Sequence, residues 1–143
     1  MMADLFLIAR IAGRTVAIDS NQVDSVVDIG EIIPVPRAGQ EVRGLAALRS
    51  RVVTVIDTCA ALGLPPSGQP TARAVITLVD GHHYAVLVDS LEDVAPFPTL
   101  PFAAGVALDG GWARVACGVV ERDGDAVLAI DLRLLIPGTV LAE

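Results

Sequence analysis

Lysine is absent from this 143-residue chain, and aromatic side chains make up only 3% of it. All ten basic residues are arginines, and seventeen acidic residues give a net charge of −7 at pH 7. Proteins that bind a nucleic-acid backbone draw their affinity from clustered positive charge, and those that bind single strands stack the bases on aromatic rings. Because both features are missing, we expect no nucleic-acid partner.

Long hydrophobic runs are also missing, although 53% of the residues are hydrophobic. The longest runs, such as Leu5–Ala9, fall far short of the roughly 20 residues that a membrane-spanning helix needs. The first residues carry neither the positive charge nor the cleavage site of a signal peptide. Cys59 and Cys117 form no CxxC pair, so we expect two buried thiols in a reducing cytoplasm. The chain is therefore predicted to be a single cytoplasmic domain, residues 1–143, that does not insert into a membrane.

An internal repeat organises the chain. A strand–turn–strand pattern over Phe6–Ile18 recurs over Ala74–Val88 at an offset of 68 residues, from Gly13 to Gly81. Asp80-Gly81 between β-branched runs is a strong hairpin signal. A second match, at an offset of 74 from Asp57 to Asp131, pairs two strands that each lead into a short apolar helix. The pseudo-repeat halves are approximately 1–66 and 70–143.

Each predicted hairpin is followed by a possible helix start. Asp19 and Asp89 each stand three residues before a Gln or Glu, which is the spacing of a capping box. Apolar residues then follow at i, i+3 and are predicted to share one face of a helical turn: Val23 with Val26, and Leu91 with Val94. β-rich units of about 60 to 70 residues usually close into small barrels, which removes unpaired strand edges. We therefore predict a tandem of two such units that pack as one body.

Residues that could carry chemistry are few. The adjacent His82 and His83 lie on a predicted strand and point to opposite faces, so no metal site is expected. Residues 57–60 resemble the Asp-Thr/Ser-Gly signature of retroviral-type aspartic proteases, but Cys59 stands at the glycine position. Asp57 and Asp131 are better explained as caps of the helices that follow them. No nucleophile motif or phosphate-binding loop is present, so we predict a protein that is not an enzyme and needs no cofactor.

Five motifs in order along nearly the whole chain resemble the CheW-like family, the coupling proteins of bacterial chemotaxis. They are Phe6-Leu7-Ile8 with Val16-Ala17-Ile18, Ile33-Pro34-Val35-Pro36 with Val42–Ser50, Val52–Asp57, Ala85–Val94, and Gly118–Leu135. The chain departs from the family pattern at Ser25, Ala47, Ser50 and Thr54. The resemblance implies a mainly β fold of two SH3-like five-stranded β-barrel subdomains packed together, with short helices.

The same resemblance implies a non-catalytic adaptor between methyl-accepting chemoreceptors and the regulatory domain of the histidine kinase CheA. A hydrophobic groove between the barrels would take the tip of the receptor hairpin, and the kinase would bind at the end of a barrel. The family's coupling positions, with their repeat partners, correspond here to Val23, Val26, Gly44, Arg49, Leu91 and Val94. Two alternatives stay open: a CheW-like adaptor of another kinase pathway, such as surface motility, and an aspartic-protease-like homodimer.

Overall fold

A computed structural model describes residues 4–36, 39, 41–48, 50–65, 73–100 and 110–136. Within them lie two α-helices, α1 (Thr58–Ala61) and α2 (Gly110–Val115), and two 3₁₀ helices, Ser20–Gln22 and Leu132–Leu135. The strands are β1 (Asp4–Ile11), β2 (Arg14–Asp19), β3 (Ser25–Asp28), β4 (Val42–Leu48), β5 (Arg51–Ile56), β6 (Arg73–Val79), β7 (His82–Leu87), β8 (Ser90–Phe97), β9 (Thr99–Leu100), β10 (Ala116–Arg122) and β11 (Asp125–Ile130). The predicted mainly β fold with short helices is confirmed.

Tight turns of one kind close three antiparallel hairpins. The first residue of each two-residue turn has a positive φ: 53° at Ala12, 52° at Asp80 and 52° at Asp123. A glycine with positive φ follows in every case. This left-handed pair gives the turn the twist of the flanking strands, which is why Asp-Gly predicts it so well. The hairpins β1–β2 and β6–β7 form where the repeat predicted them.

The strands form a six-stranded sheet, in the order β8-β1-β2-β11-β10-β9, and a five-stranded sheet, in the order β3-β6-β7-β5-β4. The first five strands of the larger sheet and the five strands of the smaller sheet are equivalent under the repeat. Yet each half of the chain gives its hairpin to one sheet and its later strands to the other. The tandem prediction, in which each half forms its own unit, is therefore wrong. The chain crosses from one sheet to the other directly after β2. The hairpin of each half therefore lies in a sheet whose other strands come from the opposite half.

The helical turn predicted after Asp89 is also wrong, because β8 occupies this segment. Strand β8 pairs with β1, with Leu91 opposite Ala9 and Val94 opposite Leu7. Asp89 bonds to the first hairpin instead of capping a helix. Its side chain accepts from the Gly13 N–H at 2.8 Å, and its own N–H donates to the Arg10 carbonyl at 2.7 Å. Pairing with a complementary edge has overridden the local capping signal.

Alternation along the strands divides the core into three clusters. On β1, Leu7 and Ile11 enter a large cluster that holds residues of both sheets, whereas Phe6 and Ile8 enter a cluster made of residues of the six-stranded sheet alone. A third cluster belongs to the five-stranded sheet and includes Val53. Successive strand residues point to opposite faces of a sheet. One face of each sheet therefore packs residues of that sheet together, and the other face packs against the second sheet. The large shared cluster joins the two sheets.

Candidate partner-binding site

Two cavities flank the segment that carries the chain from the larger sheet to β3. One, here called the intersheet groove, has a volume of about 450 Å³ and is lined by Asn21, Gln22, Val23, Asp24, Thr77, Leu78 and Arg133. The other, here called the edge cavity, has a volume of about 320 Å³ and is lined by Asp24, Ser25, Val26, Val27, Leu48, Ser50, Arg51, Val53 and Ile76. Asp24 borders both.

The intersheet groove combines an exposed apolar side chain with charges of both signs. Leu78 lies near the end of β6 and is 53% exposed, although its neighbours Thr77 and Val79 are buried. Half-buried Val23 also lines the groove and packs on the shared core. Asp24 and Arg133 supply the charges. An open groove of this composition suits an amphipathic helical segment, whose apolar face can cover Leu78 and Val23.

The edge cavity lies between β3 and β4, the two end strands of the five-stranded sheet. End strands have one edge that no neighbouring strand pairs, and on β4 the backbone groups of Leu45 bond to Ile33 instead. On the rim, Arg51 Nη1 lies 2.5 Å from His83 Nε2. Because a guanidinium only donates, the imidazole nitrogen must accept, and the contact requires an unprotonated Nε2. The pair orients Arg51 at the mouth of the cavity.

The structure separates the four apolar candidates in a way that the helical spacing did not predict. Val23 follows the first 3₁₀ helix and lines the intersheet groove, whereas Val26 lies on β3 and lines the edge cavity. Leu91 and Val94 lie on β8 of the other sheet and line neither of these two cavities. Val23, Val26 and Leu91 all pack against the shared core, while Val94 is 56% exposed. The expectation that each pair shares a helical face is wrong.

Gly44 lies buried at a bulge in β4, with φ +152°. A Cβ atom there would collide with the carbonyl oxygen of Ile33. That oxygen accepts a hydrogen bond from the Leu45 N–H at 2.9 Å, so the two segments cannot separate without losing it. Gly44 therefore permits a close backbone approach. Arg49 lies outside the described residues, between Leu48 and Ser50, which both line the edge cavity.

Both predicted capping aspartates cap helices. An Asp57 carboxylate oxygen accepts from the Ala60 N–H at 3.1 Å, and the other oxygen pairs with Arg43 at 2.9 Å. Asp131 accepts from the Arg133 N–H at 3.0 Å at the start of the second 3₁₀ helix. Each carboxylate is committed to a helix start, in contrast to the shared proton of an aspartic-protease pair. The protease-like alternative has no support in this geometry.

Asp131 is also the centre of a hydrogen-bonded cluster. The Arg133 guanidinium donates to both of its carboxylate oxygens, at 3.1 and 2.7 Å. The Gln22 side-chain amide donates to it at 3.2 Å. Side-chain hydrogen bonds from Arg133 lower the pKa of Asp131, against the opposing effect of its burial. The carboxylate therefore stays ionised at neutral pH and ties the second 3₁₀ helix to the first.

Cys117 is exposed, so the prediction of two buried thiols is wrong for this residue. It is the unpaired residue of a bulge in β10, between Ala116 and Gly118, and its repeat equivalent Arg43 holds the same place in β4. Cys59 on α1 is half-buried. Within the described ranges, no three His, Cys, Asp or Glu side chains come together as a metal site would need. In the same part of the chain, no helix is long and apolar enough to cross a membrane.

Sequence reasoning missed Gln22, Leu78 and Arg133 as residues of the groove. Gln22 stood in a capping box as a partner of Asp19, but its side chain reaches 109 residues along the chain to Asp131. Leu78 belongs to an apolar run that only Thr77 interrupts, and nothing local distinguishes it from its buried neighbours. Only the register opposite His83, near the hairpin turn, places it at the open end of the sheet.

A two-sheet fold with open surface grooves, whose conspicuous carboxylates serve as helix caps, defines a binding module. Residues 5–139 match the family model of the CheW-like domain, so the chain belongs to the CheW-like family. "Chemotaxis protein CheW" of Thermotoga maritima is 22% identical over 130 residues, which cover 91% of this chain and 85% of that protein. The crystal structure of the scaffolding protein TtCheW from Thermoanaerobacter tengcongensis matches with a TM-score of 0.80 and 21% identity, over 95% of this chain and 94% of that one. This family is one of non-catalytic chemotaxis scaffolds, which confirms that the chain is not an enzyme.

Proposed function

We propose that this protein is the cytoplasmic adaptor that couples chemoreceptors to the histidine kinase CheA and joins them in arrays at the membrane. The observation that carries the proposal is the match to the CheW-like domain over residues 5–139. In this proposal the whole chain, 1–143, acts as one domain. The exchange of strands between its halves supports this, because neither sheet is complete without both.

The intersheet groove is the proposed receptor site. Its lining offers Val23 and Leu78 to the apolar face of a helical hairpin tip, and Arg133 and Asp24 to the polar residues at its margins. Helix-in-groove recognition buries apolar anchors at i, i+3 and i+4, and the exposed Leu78 provides a surface for one of them. Of the other repeat-derived candidates, Leu91 and Val94 would act as a separate contact on β8.

The edge cavity is the proposed kinase site. Val26 and Leu48 lie within it and Arg51 on its rim, and Arg49 is next to Leu48 in sequence. A regulatory domain of the same fold would present apolar side chains to Val26 and Leu48, and polar side chains to Ser50 and Arg51 beside them. Gly44 would contribute indirectly, since it allows the Ile33 segment to pack on β4 beside the cavity.

The experiment is a titration of the full chain with two fragments: a receptor cytoplasmic tip and the CheA regulatory domain. Leu78→Glu should weaken receptor binding at least tenfold, because it buries a charge against an apolar face. Val52→Glu is the matched control: Val52 is 63% exposed on the same sheet but lines neither cavity. Equal loss for both variants, or no binding by the wild type, would refute the receptor assignment.

The kinase assignment has its own pair of variants. Arg49→Glu should weaken kinase binding by roughly 2 kcal/mol, about thirtyfold, since it replaces an attractive charge with a repulsive one. Arg73→Glu makes the same reversal at the opposite end of the same sheet, where Arg73 pairs with Asp28 on the surface. Unchanged kinase affinity for Arg49→Glu, or an equal loss for Arg73→Glu, would move the site elsewhere.

A further inference from the structure

Gln22 connects two segments that are 109 residues apart in the sequence. Its side-chain nitrogen donates to Asp131 at 3.2 Å, and its side-chain oxygen accepts from the Leu132 N–H at 2.8 Å. Both ends of the carboxamide are thus held by the start of the second 3₁₀ helix. Gln22 itself is the last residue of the first 3₁₀ helix, immediately before Val23.

The residues on both sides of this contact border the intersheet groove. Gln22 and Arg133 both line it, and Arg133 is fixed by its two hydrogen bonds to Asp131. Val23 continues the same wall, and beyond it Asp24 donates its N–H to the Ile76 carbonyl at 2.7 Å. The crossover segment is therefore anchored on one side to the second 3₁₀ helix, through Gln22, and on the other to β6.

We propose that Gln22 is a positioning residue for the receptor site: it fixes Val23 and Arg133, which both line the groove, at the spacing that the receptor tip requires. The inference rests on the proposed function, because it assigns a role within the same groove. It adds a residue that acts through its neighbours, and a reason why a carboxamide occupies this position.

The reason is that the position needs a donor and an acceptor at once. Asp131 offers only acceptors while ionised, and the Leu132 N–H only donates. A carboxamide satisfies both. A carboxylate of the same shape satisfies the N–H but faces Asp131 with a like charge. A protonated carboxyl at position 22 would again offer one donor and one acceptor, so the penalty of a glutamate there comes from its charge.

The test is therefore a charge that can be titrated. At pH 7.5, Gln22→Glu should weaken binding of the receptor tip fragment at least tenfold. The loss relative to the wild type should shrink as the pH falls from 7.5 to 5.5, because protonation of the new carboxyl restores a donor toward Asp131. The Val23 methyl resonances should shift in this variant at pH 7.5 and move back toward the wild-type positions as the pH falls. A variant that binds like the wild type at pH 7.5, or a loss of affinity that does not change with pH, overturns the inference.

Two control variants distinguish the positioning of Val23 and Arg133 from the effect of an added charge and from a general loss of stability. Ser20→Asp adds one negative charge to the same 3₁₀ helix at a residue outside the groove lining, and should leave affinity unchanged. Asp57→Ala lowers stability through a cap in the other half, and should also bind normally. A loss of affinity in either control equal to that of Gln22→Glu refutes a positioning role. If the wild type does not bind the fragment, the receptor assignment fails, and the Val23 resonances alone decide whether Gln22 fixes this segment.

Discussion

The repeat allows the two capping aspartates to be compared within one molecule. Asp57 and Asp131 occupy equivalent positions, but Asp131 makes more contacts. Asp57 accepts one cap bond and pairs with a half-exposed Arg43. Asp131 accepts a cap bond, two bonds from Arg133 and one from Gln22, and only 13% of its side chain is exposed. Substitution by alanine should therefore lower the free energy of unfolding more at position 131 than at position 57.

The magnitudes follow from these contacts. Loss of an N-cap costs about 1 kcal/mol, and an exposed ion pair adds about 0.5 kcal/mol. Asp57→Ala should then destabilise by about 1.5 kcal/mol. At position 131 the Gln22 amide also loses its acceptor in a largely buried site, which adds about 1 kcal/mol and brings the cost to about 2.5 kcal/mol. The difference of about 1 kcal/mol corresponds to a Tm separation of about 3–4 °C in a domain of this size.

Urea and thermal denaturation, followed by circular dichroism at pH 7.5, measure both values in the full chain. The two variants should keep the m-value of the wild type, so that the midpoints report stability alone. Equal costs at the two positions, or a greater cost at position 57, would show that the Gln22–Asp131–Arg133 cluster does not stabilise the fold.

Four further outcomes can be measured on the protein alone. Ala12→Asn should stabilise the fold by roughly 0.5–1 kcal/mol, since asparagine tolerates the left-handed conformation of Ala12 better than alanine does; an unchanged Tm would contradict this. Gly44→Ala should lower the free energy of unfolding by at least about 2 kcal/mol. Gly118→Ala, at the equivalent position, should be tolerated, because a Cβ there meets only Ala129 at 4.0 Å; equal losses would refute the argument from close approach. Above pH 3.8, the ordinary carboxyl pKa, the wild type should exceed Asp131→Asn in free energy of unfolding by the full amount, and this difference should disappear as the pH falls through the lowered pKa of Asp131 in the folded protein. A difference that persists in acid would contradict the direction of the pKa shift. Fragments 1–66 and 70–143 should each lack a cooperative melt but regain one when mixed, and independent folding of either would contradict the exchanged strands.

Features that depend on a few neighbouring residues could be predicted from the sequence. The β6–β7 hairpin followed from Asp80-Gly81 between β-branched runs, because the left-handed turn conformation is a local property, and the β1–β2 hairpin followed from the repeat. The caps at Asp57 and Asp131 followed from an Asp before a short apolar helix, since a side chain reaches its own helix start without help from the rest of the fold. The repeat and the ordered motifs were sufficient to indicate the CheW-like family.

The pairing of strands and the shape of the surface depend on contacts between distant parts of the chain and could not be predicted from local patterns. The capping signal at Asp89 lost to pairing with β1, because an eight-residue strand satisfies more backbone groups than one short turn. The repeat could not predict the exchange of strands between the halves. Equivalent strands have the same sequence pattern, whether they pair within their own half or with the other half. Exposure of Leu78 and Cys117 depended on register and on a bulge. The contact between Gln22 and Asp131 spans 109 residues, and only the folded chain brings such positions together.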